Sequence, residues 1–288
     1  MPSLNYVAPN TVSDAVKILA DASGPTRVMS GGTDLLVQLR TGRLKPDLIV
    51  DTKKIPGFIG VTQNADGGFT IGAATSGALL GEHAALTKAY PGLVEAANLI
   101  GSTQVQGRAS LAGNLCNASP AADSVPALIV VGATVTIAGP AGTRIAPVDS
   151  IVVGPGRTSL TKGEMVTSFQ LPPIKGKTGD AYLRFIPRTE MDIAVVGCAV
   201  CVTLDESGTI TAAKISLGAV APTQVQVDPS CIIGSKLDDA ALARLDAAAQ
   251  AVCNPIDDKR GTIEFRTKVA GVLARRTATI AVARAGGR

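Results

Sequence analysis

The sequence predicts an α+β fold, with two α/β units at the N-terminal end and a β-rich C-terminal domain closed by helices. Three observations carry this. Extended and helical segments alternate from Leu4 to Asp51, as they do where a sheet is wound with helices. From Gly57 the pattern becomes more mixed, with strands, helices and a hairpin. After Pro172-Pro173-Ile174-Lys175-Gly176-Lys177-Thr178-Gly179, a stretch with the composition of a linker, two long β-rich runs precede two helices. The expected division is 1–175, with subdomains of about 1–56 and 57–175, and 177–288.

Taken in order, Leu4 to Val7 reads as extended, and Thr11 with Asp14 three residues on predicts a capped helix with Val16, Leu19 and Ala20 on its apolar face. Thr26 to Met29 is a short strand. Ser30 to Thr33 breaks the pattern with glycines before Leu35, Leu36 and Leu39 resume helical spacing, and Asp47 to Asp51 is a buried strand. In the second unit the sequence predicts a strand at Phe69 to Ala73, helices around Ala78 to Lys88 and Leu93 to Ile100, and a glycine loop at Ser110 to Asn114. An apolar helix follows at Val125 to Val131, then a hairpin of Thr134 to Ala138 with Thr143 to Val148. In the C-terminal part, Ile193 to Leu204 and Ile210 to Val220 flank the turn Glu206-Ser207-Gly208. Helices near Asp239 to Val252 and Ile263 to Ala285 finish the chain, the last with Phe265, Val269, Val272 and Leu273 as its expected packing face.

Composition narrows the function. A hydrophobic fraction of 46% with 17% charged residues belongs to a folded chain, and 3% aromatics makes its core aliphatic. The net charge of +4 is spread out, which argues against nucleic acid as a partner. No secretory start and no long apolar run stand in the sequence, so neither export nor a membrane span is expected. Five scattered cysteines suit reduced thiols and a cytoplasmic setting.

Several chemistries fail on residue count. The single histidine, His83, excludes a histidine-based triad or a multi-histidine metal site and reads as an ordinary helix residue. Cys198 and Cys201 match C-x-x-C but lie in a β run, where residues three apart face opposite ways. Gly176-Lys177-Thr178 has the tail of a phosphate-binding loop, yet Leu171 stands where its first glycine belongs, and Ser159 takes the third glycine position of Gly154-Pro155-Gly156. What remains is a pair of glycine-bearing segments, Ser30-Gly31-Gly32-Thr33-Asp34 and Ser110-Leu111-Ala112-Gly113-Asn114. Glycine lets successive amides converge on a phosphate, and a helix starting behind them adds its dipole. Each segment alone also fits a simple turn.

The second segment continues as Asn114-Leu-Cys-Asn-Ala-Ser-Pro-Ala-Ala-Asp-Ser-Val-Pro-Ala-Leu128 and resembles the FAD-binding segment of the xanthine oxidase family of molybdenum hydroxylases. Ser30 to Leu35 and Ile100-Gly-Ser-Thr-Gln104 are similar to other flavin-contacting segments of that family. Arg184-Phe-Ile-Pro-Arg-Thr-Glu-Met-Asp192, Leu217 to Thr223 and Glu264 to Arg276 resemble its C-terminal region, so the likeness runs through nearly the whole chain. Its length is similar to that of separate bacterial medium subunits, as in carbon monoxide dehydrogenase and quinoline oxidoreductase. Gly-Gly-Thr-Asp here replaces the Gly-Gly-His-Ser pattern of the former.

The resemblance implies a vanillyl-alcohol-oxidase-type fold with FAD between two α/β subdomains and a C-terminal antiparallel sheet carrying helices. By position, FAD contacts fall on Val28, Met29, Ser30, Gly31, Gly32, Thr33, Asp34, Leu35 and Thr103, and on Ser110, Leu111, Ala112, Gly113 and Asn114. Asp123 would accept from flavin ribityl or ribose hydroxyls. Ile100, Val166 and Arg184 would line the flavin or adenine, where other members carry Phe, Leu and Lys; Ala112 replaces a usual glycine. The implied role is that of an oxidoreductase subunit without a protein acid, base or nucleophile of its own. Electrons would come from the [2Fe-2S] clusters of a small subunit and leave through FAD to a soluble acceptor. A large subunit with the molybdenum cofactor (molybdopterin) would hydroxylate an N-heterocycle or aldehyde, in a dimer of heterotrimers. The alternatives are a flavin-free bridging subunit and a free-standing FAD oxidase.

Overall fold

The structure is a computed structural model that describes residues 4–287. The first unit comprises β1 (Asn5–Val7), α1 (Val12–Asp21), β2 (Thr26–Met29), α2 (Leu35–Arg40) and β3 (Leu48–Asp51). Its three strands are parallel in the order β1-β3-β2, so helical crossovers are required between them. The Thr11 hydroxyl oxygen accepts the Asp14 N–H at 3.1 Å, capping α1, and the helix buries Ala15 and Leu19. In parallel sheets ligands settle beyond the carboxyl ends of the strands. The glycine turn at Ser30 leaves the carboxyl end of β2, and Thr52 leaves that of β3.

The second unit begins with β4 (Val61–Gln63) and β5 (Phe69–Gly72). Six helices follow: α3 (Gly77–Glu82), α4 (Ala84–Ala89), α5 (Pro91–Asn98), α6 (Thr103–Gln106), α7 (Leu111–Cys116) and α8 (Ser124–Val130). It ends with β6 (Thr134–Gly139), β7 (Gly142–Pro147), β8 (Val152–Gly154), β9 (Arg157–Thr158) and β10 (Met165–Leu171). β4-β5-β10-β6-β7 form an antiparallel sheet, and the hairpin expected at residues 134–148 is its β6–β7 edge.

Two readings of this unit are corrected. The single helix expected over 78–88 is two, because His83 leaves helical geometry and its Nδ1 accepts the Leu86 N–H at 3.1 Å, capping α4. The segment Ser110 to Asn114 is not a loop. Ser110 is the N-cap of α7, its hydroxyl oxygen accepting the Gly113 N–H at 3.2 Å, so Gly113 and Asn114 lie inside a helix.

The C-terminal part comprises β11 (Lys177–Phe185), β12 (Val196–Leu204), β13 (Ile210–Gly218), β14 (Val225–Val227), α9 (Asp239–Ala251) and α10 (Ile263–Gly286), with the strands antiparallel in sequence order. β11 starts at Lys177, so Lys177, Thr178 and Gly179, read as linker, are strand and pair with Leu204, Thr203 and Val202. Cys198 and Cys201 do face opposite sides of β12. One is buried in the core beneath α9 and α10, the other packs toward the N-terminal core. The face that α10 buries also differs from expectation. Of Phe265, Val269, Val272 and Leu273 only Leu273 is buried; the packed face is Ala270, Ala274, Ala278, Ala281 and Ala285. Small side chains let the helix lie close on β11, where a Cβ on Gly179 would stand 2.5 Å from the Ala281 carbonyl oxygen.

The C-terminal sheet is locked to the second unit at α5. Asp180 of β11 accepts the Leu93 N–H at 3.0 Å, Arg284 of α10 is paired with Glu95, and Gly92 leaves room for the Ala181 backbone. Among the described residues no helix is long and apolar enough to cross a membrane.

Candidate functional site

The two glycine-bearing segments meet although 80 residues separate Ser30 from Ser110. Gly31 is buried against the Arg108 carbonyl, with which any Cβ would collide, and Gly32 adopts φ +80°. Glycine is therefore required at both positions, at one by close approach and at the other by backbone conformation.

A proton count along the contact fixes what the hydroxyls can do. Ser30 donates to the Ala73 carbonyl at 3.0 Å, which uses its only proton. In the 2.8 Å contact between the two hydroxyls, Ser110 must then be the donor, while its oxygen accepts from Gly113 N–H. Both protons are spent inside the protein. A bound phosphate must be held by other groups.

Those groups are present. The N–H groups of Gly32, Thr33, Asp34 and Leu35 at the head of α2, and of Ala112 at the head of α7, have no acceptor among the described residues, whereas the Leu111 N–H is taken up in the antiparallel bridge between Ser76 and Ser110. Asn114 Oδ1 accepts both the backbone N–H (3.1 Å) and the hydroxyl (2.7 Å) of Ser124, which leaves the Asn114 NH2 as a donor to the cavity. Behind the first turn, Lys53 Nζ donates to the Ser30 carbonyl at 2.9 Å and to both Asp51 oxygens at 2.7 Å, and the Tyr6 hydroxyl donates to Asp51 at 2.6 Å. Burial works to raise the Asp51 carboxyl, but the hydrogen bonds from Lys53 and Tyr6 outweigh it and hold it below its usual range.

These segments open on one cavity of 480 Å3, a volume in the range of cofactor clefts. Of the residues singled out in the sequence, Val28, Met29, Ser30, Gly31, Gly32, Thr33, Asp34, Leu35, Ile100, Ser110, Ala112, Gly113, Asn114 and Val166 line it. Leu111 is buried in the core instead, and Thr103 is exposed on α6. Gln38, Arg43, Leu44, Thr52, Cys116 and Asn117 also line the cavity and were not singled out. Arg27 and Arg43 bring positive charge to its wall without a carboxylate partner among the described residues. Glu164, also at the wall, is held down to about 2, chiefly by the Arg144 hydrogen bond, and desolvation raises the Asp34 carboxyl.

Asp123 and Arg184 lie outside the cavity lining and are each other's partner at 2.9 Å, with side chains 9% and 4% exposed. Tyr182, which the sequence did not suggest, donates to the other Asp123 oxygen at 2.7 Å. Burial raises the Asp123 carboxyl against the opposing pull of Arg184 and Tyr182. Arg184 is thus a neutralised charge, not a free one, although its Nε is buried without an acceptor.

Free amides from two directions, glycines that no other residue can replace, an oriented amide donor and unpaired arginines fit the diphosphate of a dinucleotide cofactor. Comparison with known proteins identifies which. Residues 2–174 match the family described as "FAD binding domain in molybdopterin dehydrogenase", and residues 181–281 match "CO dehydrogenase flavoprotein C-terminal domain". The chain belongs to this family of FAD-binding subunits of molybdenum hydroxylases. It is 31% identical to the xanthine dehydrogenase FAD-binding subunit of Escherichia coli O157:H7, over 99% of this chain and 98% of the relative. Its structure is similar to that of a chain of the Cu,Mo-CO dehydrogenase, with a TM-score of 0.93, 30% identity and 99% of each chain covered. The fold is shared with a chain of quinoline 2-oxidoreductase from Pseudomonas putida 86, with a TM-score of 0.90, 24% identity, and 99% and 98% covered.

Proposed function

We propose that this chain is the electron outlet of a molybdenum hydroxylase. It would take electrons from the [2Fe-2S] clusters of a small subunit and pass them through FAD to a soluble acceptor. Substrate, an N-heterocycle or aldehyde, is hydroxylated in a large molybdopterin subunit, and the complex is a dimer of heterotrimers. The observation that carries the reading is the convergence of unpaired amides from α2 and α7 on one cavity. Xanthine, in the name of the relative above, is an N-heterocycle and supports that substrate class.

When bound, FAD supplies the redox chemistry. The chain's own residues hold it. The N–H groups at Gly32 to Leu35 and at Ala112 would bind the diphosphate, with Asn114 as a side-chain donor. Ile100 and Val166 would pack on the ring systems. The Asp123–Arg184–Tyr182 cluster would support a neighbouring part of the site from outside the cavity lining. The units 1–175 and 177–288 act as cofactor cradle and covering domain. The thiols of Cys116, Cys198, Cys231 and Cys253 support a cytoplasmic setting.

Copurifying the complex and assaying molybdenum, iron and flavin together tests this. All three are expected. A complex with molybdenum and iron but no flavin would make the chain a structural bridge, and a chain that oxidises a substrate alone would make it a free-standing oxidase.

A further inference from the structure

Gly154-Pro155-Gly156, which failed as a dinucleotide fingerprint, forms the tip of the β8–β9 hairpin. Gly154 pairs with Arg157, Pro155 and Gly156 stand between them, and Gly156 takes φ +68°, as the residue types and positive φ of a type II turn require. The base of the hairpin is rooted, since Ile151 is buried and its carbonyl accepts the Ser159 N–H at 2.8 Å. The tip is not. Pro155, Gly156 and Arg157 are exposed, yet Gly156, Thr158 and Leu160 line the cofactor cavity, so this wall is a single chain thick. Beyond its own strand pairing the tip makes one hydrogen bond among the described residues, from the Gly156 N–H to the Ala118 carbonyl at 2.9 Å.

Ala118 follows Asn117, the C-cap of α7, and is buried in a left-handed conformation at φ +50°. A residue with a Cβ keeps that conformation only where its surroundings impose it. They do so from the C-terminal domain. Gln224, just before β14, donates from Nε2 to the Ser119 carbonyl at 3.1 Å and to the Pro120 carbonyl at 3.2 Å, and the Ala219 N–H donates to Pro120 as well at 2.7 Å. Gln224 itself does not line the cavity.

We propose that the β8–β9 hairpin is a flap that lifts for FAD to enter or leave, latched by the Gly156–Ala118 bond, and that Gln224 is the positioning residue that holds this latch in place from the C-terminal domain. This rests on the assignment of the cavity to FAD and adds the control of its exchange. A flap that must open before either entry or exit sets both rates. Loosening its latch therefore raises association and dissociation by the same factor and leaves their ratio, the affinity, where it was. Loss of a contact to bound cofactor acts on dissociation alone. The C-terminal domain thus governs how fast the cofactor exchanges through a residue outside the cavity lining.

The test measures two rates by flavin fluorescence: association of FAD with the flavin-stripped full chain, and release of bound FAD into an excess of flavin-stripped wild type. Gln224→Leu should raise both about three- to tenfold, the effect of losing a hydrogen bond, with the equilibrium affinity within about twofold of wild type. Gly156→Ala, strained at its positive φ but with no atom within 4 Å of the added Cβ, should raise both rates as well. It carries the test by itself should Gln224→Leu fail to fold. Unchanged rates, or faster dissociation with unchanged association, overturn the flap and leave the FAD assignment standing. Failure of wild type to bind FAD overturns both.

Discussion

The two glycine-bearing segments look alike in sequence and differ in kind. Ser30 to Asp34 is a true turn, in which Gly31 admits the Arg108 backbone and Gly32 takes a left-handed conformation. Ser110 to Asn114 is a helix start, in which Gly113 has ordinary helical surroundings and the Ser110 hydroxyl supplies the cap. Glycine in the first is dictated by the protein itself. In the second the neighbour that a Cβ would meet is the cap hydroxyl of Ser110, at 3.2 Å. The two are joined by a single chain of hydroxyls, from Gly113 through Ser110 and Ser30 to Ala73.

The comparison can be tested from its strongest element down. The second segment runs on to Asp123, for which the first has no counterpart. Asp123→Ala would strand the Arg184 charge at 4% exposure and should cost about 3–5 kcal/mol in denaturant unfolding. A cost below about 1 kcal/mol would mean that the pair is solvated. Next come the glycines. Gly31→Ala should cost about 3 kcal/mol through the backbone collision and abolish FAD retention. Gly113→Ala, in a helix and 3.2 Å from Ser110 Oγ, should change stability by less than about 1 kcal/mol. Equal losses at the two sites would erase the distinction. Ser110→Ala removes both the cap and the link to Ser30 and should cost about 1–2 kcal/mol, read as a lower midpoint in urea.

The smallest effect concerns acid. The folded-state carboxyl of Asp51 lies below its ordinary value of 3.8, so its contribution is present above that value and is lost as pH falls through the depressed one. Between about pH 5 and pH 2, wild type should therefore lose more stability than Lys53→Met, in which the main cause of the depression is gone. Parallel pH profiles would show that Lys53 does not brace the first turn.

Much of this was legible in the residues, for identifiable reasons. Alternation from Leu4 to Asp51 gave the parallel unit, and the glycines marked both walls of the cavity. The α7 helix was hidden because its six residues include Gly113 and Asn114, poor helix formers, and are too few to show a period. Strand β10 escaped notice because Thr167 and Ser168 interrupt its apolar residues. Phe265 and Val269 look like the packing face of α10, but close approach to the sheet selected alanine. The Gly156–Ala118 latch and the Lys53 brace unite residues that no local pattern connects. Asp123 and Arg184, each read separately as a cofactor contact, pair with one another, so that their charges are spent mainly there.

The central claim is that one diphosphate is held jointly by the turn before α2 and the start of α7. A crystal structure of the chain with FAD tests it most directly. The account predicts phosphate oxygens within hydrogen-bond distance of N–H groups from both Gly32–Leu35 and the start of α7 at Ala112, with Ser30 and Ser110 still bonded to each other. A diphosphate that touches only one of the two segments, or that breaks the bond between the serines, would contradict it.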